Sequence, residues 1–427
     1  MAKRVLIVTY YWPPAGGPGV QRWLKFVKYL PEHDIEPIVY CPSNANYPII
    51  DKSLKAEIPE NISILKQPIK EPYKLANLFS KQTKTISKGI IKEKDKQSLP
   101  ERLMLFIRGN FFIPDARKQW VKPSTNFLTT YIQDFNIDTV ITTGPPHSLH
   151  LIGLKIKQKL EVNWIADFRD PWTTIGYHKQ LKLTNFAKKQ HKQLESKVLN
   201  QADQIVVTSP STKTEFEAIT NKPITVITNG YDQEKVEVNN LDEKFTLSHI
   251  GSLLSKRNPE ILWQALSEII NNNDDFKRCF QLNLVGEVGE DIINSLGKYN
   301  LIDYLNKTGY VSHNEAVKFQ KKSQVLLLIE INSEDTKAII PGKLFEYMVS
   351  NRPILAIGPK GADISKLITE TNTGKFFNYS EYDALKSEIL NMFEAYQNKT
   401  LNVNAIGLQK YSRKALTKQL VDLINNL

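Results

Sequence analysis

The segment with the clearest chemical content spans residues 340–347 and reads Ile-Pro-Gly-Lys-Leu-Phe-Glu-Tyr. Pro341 and Gly342 favour the start of a helix, where backbone N–H groups are free to bind an anion. Lys343 adds a cation suited to phosphate. Glu346 follows on the same helix face, where its carboxylate can accept hydrogen bonds from hydroxyl groups. The pattern predicts a site for a phosphorylated, hydroxyl-bearing ligand; a solvated Lys–Glu helix pair is the alternative.

A second cationic segment follows the strand predicted at Phe245–Ile250. Gly251 ends that strand, and Lys256 and Arg257 come shortly before the next predicted helix. The planar guanidinium of Arg257 and the point charge of Lys256 together suit a diphosphate. A pair of ordinary surface cations is the alternative interpretation.

A glycine- and proline-rich turn, Pro13–Gly19, follows the first predicted strand and precedes a helix. Gly16, Gly17 and Gly19 allow the backbone to approach a ligand closely, and the helix start near Val20 would direct N–H groups at an anion. The dinucleotide fingerprint G-x-G-x-x-G is absent. An ordinary tight turn is possible, but a position after the first strand of an α/β domain favours a ligand site.

These three segments sit in two successive runs of alternating strands and helices. The strands are short and almost continuously apolar, which is typical of a parallel sheet covered on both faces. The pattern restarts after Asn229-Gly230, so we expect an α/β chain with two Rossmann-like domains that face across a cleft, with ligands at the carboxyl ends of the strands. The predicted domains are residues 1–220 and 221–399, with a C-terminal helix at about 400–427 that packs back on the first domain.

The individual elements follow from the same pattern. Strands are predicted at Arg4–Thr9, Glu36–Tyr40, Asn61–Lys66, Asp138–Thr142, Asn163–Ala166, Gln204–Thr208, Phe245–Ile250, Gln281–Val285, Val325–Ile329 and Pro353–Ile357, and a further strand ends at Val311. Helices are predicted at Val20–Leu30, His147–Leu160, Leu181–Asn200, Pro259–Ile270, Lys343–Val349 and Asp363–Thr369.

Residues 70–122 are the least regular part of the sequence. Stretches rich in Lys, Gln and Ser surround the apolar patch Leu103–Ile113, within which Arg108 lies, and Arg102 precedes it directly. One interpretation is an amphipathic segment that lies in a membrane interface. The other is a helix packed on the sheet, since the hydrophobic face is short.

Composition narrows the class of protein. The chain has 427 residues, 41% of them hydrophobic and 24% charged, which suits a globular protein of two domains. No apolar run reaches the roughly 18 residues that span a bilayer, and Met1–Tyr10 lacks the features of a signal peptide. We therefore expect a cytoplasmic protein in which Cys41 and Cys279 are reduced thiols.

The net charge of +11 suggests a polyanionic partner. The basic residues concentrate in Lys66–Lys122 and Lys179–Lys197. No zinc finger, paired aromatic strand motif or leucine zipper accompanies them, so we expect no nucleic-acid partner. Two interpretations remain: solubility alone, or attraction to an anionic membrane, which gains about 1 kcal/mol per basic residue near the surface. The second predicts peripheral association with the inner face of the cytoplasmic membrane.

Taken together, the motifs resemble those of retaining glycosyltransferases of the GT-B fold, in particular glycosyltransferase family 4. Each motif alone is weak, but they span nearly the whole chain in the expected order. The matching segments are Tyr10–Gly19, Asn229–Asp232, Gly251 with Lys256 and Arg257, Gly309–Val311, and Pro341–Tyr347.

The resemblance implies a role for each motif in binding a nucleoside diphosphate sugar. It places the glycine-rich turn near the donor phosphates or the acceptor. Arg257 matches the phosphate-binding cation of the family, and Glu346 matches the second glutamate of its E-x7-E motif, which holds ribose. The implied donor-binding residues are Gly16, Gly17, Gly19, Gly251, Lys256, Arg257, Tyr310, Val311, Pro341, Gly342, Lys343 and Glu346, with Tyr310 and Val311 beside the nucleobase.

Two positions depart from the family pattern. Ala338 stands where the first glutamate of the motif is expected, so its usual contact with a sugar hydroxyl is missing or replaced. Ser252 stands where many members carry an arginine. More of the phosphate charge therefore falls on Lys256, Arg257 and Lys343.

A further cluster is expected on the acceptor side. The family's active-site histidine would fall near Thr143 or Gly144, and His147 follows closely; it either takes that role or caps the next helix. The segment Asp167–Trp172 follows the next strand, where charged side chains are placed for a ligand. Its carboxylates either position acceptor hydroxyls and orient His147, or form an internal salt-bridge cluster. The predicted catalytic residues are His147, Asp167 and Asp170, and the predicted acceptor-side residues are Arg169 and Trp172.

The resemblance therefore implies retaining transfer of a hexosyl or N-acetylhexosaminyl group from a nucleoside diphosphate sugar. The predicted acceptor is a lipid-linked or surface-polysaccharide precursor, an oligosaccharide or lipid carrier reached from the membrane face. We expect no cofactor and no required metal, because no DxD-like motif is present. A nucleotide-sugar epimerase of the same fold and a non-catalytic nucleotide-sugar-binding protein are the alternatives; a phosphorylase would need a pyridoxal lysine and a much longer chain.

Overall fold

The computed structural model describes residues 2–71, 99–232, 238 and 240–427, and the chain divides into two compact units. Unit 1 comprises residues 1–228 and 413–427, and unit 2 comprises residues 229–412. The boundary predicted at residues 220 and 221 falls before a three-residue strand, Ile224–Val226, that belongs to unit 1. A strand this short carries too little periodicity to be recognised from sequence.

Unit 1 is built on a seven-stranded sheet in which all strands are parallel and follow the order β3-β2-β1-β4-β5-β6-β7. From β1, successive strands are added on one side of the sheet as far as β3 and on the other side from β4 to β7. The boundary between β1 and β4 is therefore the topological switch point, where ligands bind in such folds. The strands are β1 (Lys3–Val8), β2 (Ile35–Pro42), β3 (Ser63–Gln67), β4 (Thr139–Gly144), β5 (Asn163–Phe168), β6 (Gln204–Val207) and β7 (Ile224–Val226).

Apolar cores lie on both faces of this sheet, as the apolar strands predict. The helices of unit 1 are α1 (Pro18–Tyr29), α2 (Leu99–Phe111), α3 (Val121–Asp134), α4 (Ser148–Lys157), α5 (Gly176–Lys179), α6 (Asn185–Gln201), α7 (Pro210–Glu217) and, from the chain's end, α15 (Arg413–Asn425). Helix α15 packs against α1 through Leu416, Leu420 and Ile424, which lie in the same apolar core as Trp23 and Val27.

Unit 2 contains a six-stranded parallel sheet with the order β10-β9-β8-β11-β12-β13, the same winding as in unit 1. Its switch point lies between β8 and β11. The strands are β8 (Phe245–Ile250), β9 (Phe280–Val285), β10 (Leu305–Gly309), β11 (Val325–Ile329), β12 (Ile354–Gly358) and β13 (Gly374–Asn378). The helices are α8 (Glu260–Asn272), α9 (Asp274–Cys279), α10 (Glu290–Lys298), α11 (His313–Lys322), α12 (Gly342–Met348), α13 (Asp363–Thr371) and α14 (Tyr382–Gln397).

Two Rossmann-like α/β sheets are therefore confirmed, and most predicted elements lie within a few residues of the observed ones. The strand predicted to end at Val311 ends earlier, because Gly309 adopts φ +72° and the register with β9 becomes irregular there. The helix predicted from Leu181 begins instead at Asn185, where the Thr184 hydroxyl accepts from the Ala187 N–H as an N-cap.

The irregular segment 70–122 is described from residue 99 onward, and residues 72–98 lie outside the described residues. The apolar patch forms α2, but this helix does not pack on the sheet as one interpretation expected. Leu105 is buried against Leu181, whereas Leu103 and Phe111 are 59% and 63% exposed. None of the helices in the described ranges is both long and apolar enough to cross a bilayer.

Candidate functional site

In unit 2, the predicted donor residues converge on the carboxyl end of β8. Gly251 follows this strand with φ +115°, a conformation that disfavours any residue with a side chain. A Cβ atom at this position would lie 3.5 Å from Lys343 Nζ. The glycine therefore leaves room for the ammonium group, which is brought here by α12.

Lys343 is held by groups of the β8 terminus. Its Nζ lies 3.0 Å from His249 Nε2 and 3.4 Å from the Ile250 carbonyl oxygen. Burial lowers the pKa of Lys343 to about 7; Glu330 and Glu346 oppose this shift, and Arg257 adds to it. Lys343 can therefore change charge near neutral pH, which suits a group that meets an incoming phosphate.

Arg257 is paired with a carboxylate that the sequence analysis did not single out. Its Nη2 lies 3.2 Å from Glu330 Oε2, and the Glu330 side chain is only 2% exposed. Glu330 directly follows β11, so it stands at the switch point of the sheet. A charged residue immediately after the strand Val325–Ile329 was a signal in the sequence that could have identified it.

Glu346 lies on α12 one turn after Lys343 and is half-buried. Its Oε2 accepts a hydrogen bond from Gln320 Nε2 at 2.9 Å, and Gln320 is buried on α11. Next to it, the Tyr347 hydroxyl accepts from the Ile250 N–H at 2.9 Å and so ties α12 to the end of β8. The contact with Gln320 fixes one carboxylate oxygen of Glu346 and leaves the other as an acceptor for a ligand hydroxyl.

The other predicted donor residues of unit 2 surround this centre less closely. Lys256 is exposed in the short 3-10 helix Ser255–Arg257, and Tyr310 is 91% exposed just beyond β10. Pro341 precedes α12 and Gly342 begins it, so they set the position of Lys343. Ser252 is exposed, and Val311 and Ala338 are partly buried.

In unit 1, the glycine-rich turn is fastened to a neighbouring loop. Gly16 N donates to the Ile49 carbonyl at 3.0 Å, and Asp51 N donates to the Pro14 carbonyl at 2.8 Å. Gly17 is the N-cap of α1 and has φ 98°. The turn thus presents the start of α1 at the carboxyl end of β1.

Arg169 lies directly on this turn. A Cβ atom at Gly19 would stand 1.8 Å from Arg169 Nη1, so only glycine allows the guanidinium this position. Arg169 donates to the Pro145 carbonyl and lies over the Tyr11 ring. A cation and the N-terminus of a twelve-residue helix therefore come together, an arrangement that favours an anion.

Asp167 is buried and fully hydrogen-bonded. Its carboxylate accepts from Arg22 at 2.9 Å, from the Trp23 indole at 2.8 Å and from the Thr143 hydroxyl at 2.7 Å. Burial alone would raise the pKa of this carboxyl, but the Arg22 guanidinium and these bonds hold it below its ordinary value. The partner of Asp167 is thus Arg22 rather than the adjacent Arg169, and its geometry is that of a structural ion pair.

Asp170 and His147 have different surroundings from Asp167. Asp170 is partly exposed, and burial against the protein raises its pKa, opposed by Arg169. His147 is buried, and its ring stacks on Trp172 with centroids 4.9 Å apart. Burial, with His150 and Arg169 adding to it, lowers the pKa of His147 well below the usual range, so its ring is neutral. Neither ring nitrogen of His147 has a hydrogen-bond partner within the part of the chain that the structure describes.

Trp172 is itself buried, and its indole donates to His191 Nδ1 at 3.1 Å. In this position the Trp172 ring packs against one face of the His147 ring. Residue types at strand ends predicted His147 and Trp172 as site residues, but their stacking depends on tertiary structure that the sequence did not reveal.

Among the described residues, no group of three or more His, Cys, Asp or Glu side chains is placed to hold a metal ion. Cys41 and Cys279 are free thiols.

Comparison with known proteins gives a family match for part of the chain and a fold match for all of it. Residues 91–235 match the model of Glycosyltransferase Family 4. No curated protein matches the chain by sequence. Among solved structures, the chain is similar to a sucrose-phosphate synthase from Thermosynechococcus elongatus, with 13% identity, a TM-score of 0.61 and coverage of 99% of this chain and 98% of that one.

Two further structures cover the whole chain. One is the HepE protein of Anabaena in complex with UDP-glucose, with 13% identity, a TM-score of 0.61 and coverage of 99% and 100%. The other is a candidate UDP-N-acetylglucosamine 2-epimerase from Listeria monocytogenes, with 12% identity, a TM-score of 0.55 and coverage of 100% and 96%. At these identities the likeness establishes the fold.

Residues 91–235 therefore resemble glycosyltransferases of family 4, and the solved structures share the GT-B fold of the whole chain. The resemblance inferred from the sequence motifs is thereby confirmed.

Proposed function

We propose that the protein is a retaining glycosyltransferase that moves a hexosyl or N-acetylhexosaminyl group from a nucleoside diphosphate sugar to a lipid-linked or surface-polysaccharide acceptor. The observation that carries this proposal is the cluster in unit 2. Arg257 and Lys343 supply cations at the end of β8, and Glu346 supplies an acceptor for ribose hydroxyls one helical turn away. A nucleoside diphosphate carries the complementary groups.

The proposed reaction breaks the bond between the anomeric carbon and the phosphate oxygen. The electron pair leaves with the diphosphate, and Arg257 and Lys343 offset the negative charge that develops on it. The acceptor hydroxyl forms the new bond to the anomeric carbon on the same face, and its proton passes to the departing phosphate. In this scheme the protein contributes mainly positioning and electrostatics.

In unit 1, we assign the acceptor to the surroundings of Arg169. Its guanidinium and the start of α1 suit a phosphate or hydroxyl-rich group, and the partly exposed Asp170 can accept from an acceptor hydroxyl. His147 is neutral and can exchange a hydrogen bond with such a group only if its buried edge is uncovered. Asp167 then serves as a positioning residue that fixes the end of β5.

We propose that the protein contacts the membrane through the exposed apolar side chains of α2. Leu103, Phe106 and Phe111 are exposed on this helix beside the exposed Arg102. Apolar side chains flanked by cations are suited to an anionic lipid surface. A lipid-linked acceptor would be met at that surface, on the cytoplasmic side.

The first test is a binding screen with purified protein against UDP-, GDP-, ADP- and TDP-sugars by thermal shift and calorimetry. We expect one nucleotide class to raise the melting temperature. With that donor, Glu346→Ala should weaken binding about tenfold to a hundredfold, because a hydrogen bond to a charged group contributes about 1.5–3 kcal/mol.

The matched control for this variant is Glu334→Ala, since Glu334 is 80% exposed in the loop before α12. It should leave donor affinity unchanged. Because Glu346 also accepts from buried Gln320, the melting temperature of both variants is measured without ligand. Donor affinity unchanged in Glu346→Ala would remove the ribose role.

The two alternatives are separated by product analysis. An epimerase, a function named for one structure of the same fold, would return an altered nucleotide sugar without acceptor. A non-catalytic binding protein would bind the donor and release no nucleoside diphosphate. A transferase releases the diphosphate and forms a new glycosidic bond.

A further inference from the structure

His249 lies buried near the carboxyl end of β8, where the mechanism so far uses only Lys343 and Gly251. Its Nδ1 is 3.0 Å from the Leu327 carbonyl oxygen on β11. A carbonyl can only accept, so Nδ1 carries the hydrogen. Burial, with Lys343 adding to it, lowers the pKa of His249 well below its usual range, so the ring is neutral. Its Nε2 is therefore an acceptor.

That acceptor faces Lys343. The 3.0 Å contact with His249 Nε2 takes one N–H of the ammonium group, and the Ile250 carbonyl at 3.4 Å takes a second. An ammonium group has three N–H donors. The remaining donor is left for a ligand, and Gly251 places no side chain beside Lys343 Nζ, where a Cβ atom would lie 3.5 Å away.

We propose that His249 is a positioning residue of the donor site: it orients Lys343 so that one N–H of the ammonium group meets a phosphate oxygen of the bound nucleoside diphosphate. This inference rests on the proposed function of the site. Both nitrogens of the ring take part, one anchored to β11 and the other to α12. His249 thus connects β8 and β11, the strands on either side of the switch point, to Lys343.

Three charged side chains from neighbouring elements act on Lys343. Arg257 precedes α8, Glu330 follows β11, and Glu346 lies on α12. Glu330 and Glu346 favour the charged form of Lys343, and Arg257 disfavours it. A phosphate that enters would add to the two carboxylates and favour the ammonium form, so nucleotide binding is expected to be accompanied by proton uptake.

Two substitutions separate the anchoring role from the positioning role. In His249→Asn, the amide nitrogen can reproduce Nδ1 and keep the bond to Leu327, but the acceptor for Lys343 is lost. In His249→Gln, the amide oxygen can reproduce the Nε2 acceptor, but the Leu327 carbonyl loses its donor. Each variant is compared with the wild type in calorimetric binding of UDP, GDP, ADP or TDP, whichever the wild type binds best, and in melting temperature without ligand.

We expect His249→Asn to weaken nucleoside diphosphate binding about tenfold, the effect of one charge-assisted hydrogen bond. His249→Gln should stay within about threefold of the wild type, even where its melting temperature is lower. In a Lys343→Met background, His249→Asn should have no further effect on affinity, because the group it orients is absent.

Other outcomes overturn the inference. If affinity follows melting temperature in both variants, or if His249→Asn weakens binding equally with and without Lys343, the histidine is only a structural residue. If the wild type binds the nucleotide and His249→Asn binds it equally well, this inference fails while the proposed function stands. A wild type that binds none of the four diphosphates overturns both.

Discussion

Asp167 forms a buried ion pair with Arg22 in unit 1, and the effect of its removal on the free energy of unfolding can be estimated. Its side chain and that of Arg22 are each 1% exposed, and the carboxylate accepts three hydrogen bonds. In Asp167→Ala, the Arg22 guanidinium stays buried without its counter-ion. Breaking a buried pair in this way costs about 3–5 kcal/mol of the free energy of unfolding.

The control is the exposed pair of Arg4 and Glu36, whose side chains are 45% and 40% accessible. Glu36→Ala should cost no more than about 1 kcal/mol. Unfolding is followed in urea by tryptophan fluorescence, which reports mainly on unit 1, since every tryptophan except Trp263 lies there.

The pH dependence has a definite sign. The pKa of Asp167 is lower in the folded protein than its ordinary value, so its stabilisation is complete above the ordinary value and is lost as pH falls through the folded one. Acid destabilisation should therefore be shallower in Asp167→Ala than in the wild type. If Asp167→Ala costs less than about 1 kcal/mol and still abolishes sugar transfer, Asp167 is catalytic and the structural assignment is wrong.

Three further predictions concern charge and surface. Nucleoside diphosphate affinity should fall as pH rises through about 7, because Lys343, with a pKa of about 7, loses its charge; Lys343→Arg should flatten this dependence in calorimetry. Measured well below pH 7, where Lys343 stays charged, Glu330→Gln should raise nucleoside diphosphate affinity about two- to fivefold by removing the negative charge beside Arg257, and an unchanged or lower affinity would contradict the electrostatic account. Phe111→Ser should reduce sedimentation with phosphatidylglycerol vesicles at least about threefold, whereas Phe135→Ser, exposed elsewhere on unit 1, should not; equal losses would argue against α2 as the contact.

Sequence periodicity was sufficient for the sheets but not for every element. Continuous apolar runs such as Val325–Ile329 are buried strands at the centre of unit 2, as predicted. The three-residue strand Ile224–Val226 and the strand Gly374–Asn378 escaped notice, because short or partly exposed strands lack a distinctive pattern. Helix α2 was recognised as an apolar segment, but its partner Leu181 is distant in sequence.

In the candidate site, too, the sequence predicted some residues and missed others. The motifs that follow β8 and β11 predicted Gly251, Arg257, Lys343 and Glu346, since residue type and position carry that information. The partners of these residues were missed. His249 lies inside an apolar strand and Gln320 on a polar helix, where neither has a distinctive pattern, whereas the position of Glu330 directly after a buried strand was an unused signal. Pairing across the sheet, such as Arg22 with Asp167, depends on contacts between residues far apart in the chain, which a single sequence does not record.

The measurement that tests the central claim most directly is NMR analysis of the products formed from the nucleotide sugar that purified wild-type protein binds best, with membrane lipid extract as acceptor. The account predicts release of the nucleoside diphosphate and a new glycosidic bond with the anomeric configuration of the donor. Release of no diphosphate from any bound donor, formation of an epimerised nucleotide sugar, or a bond of inverted configuration would contradict it.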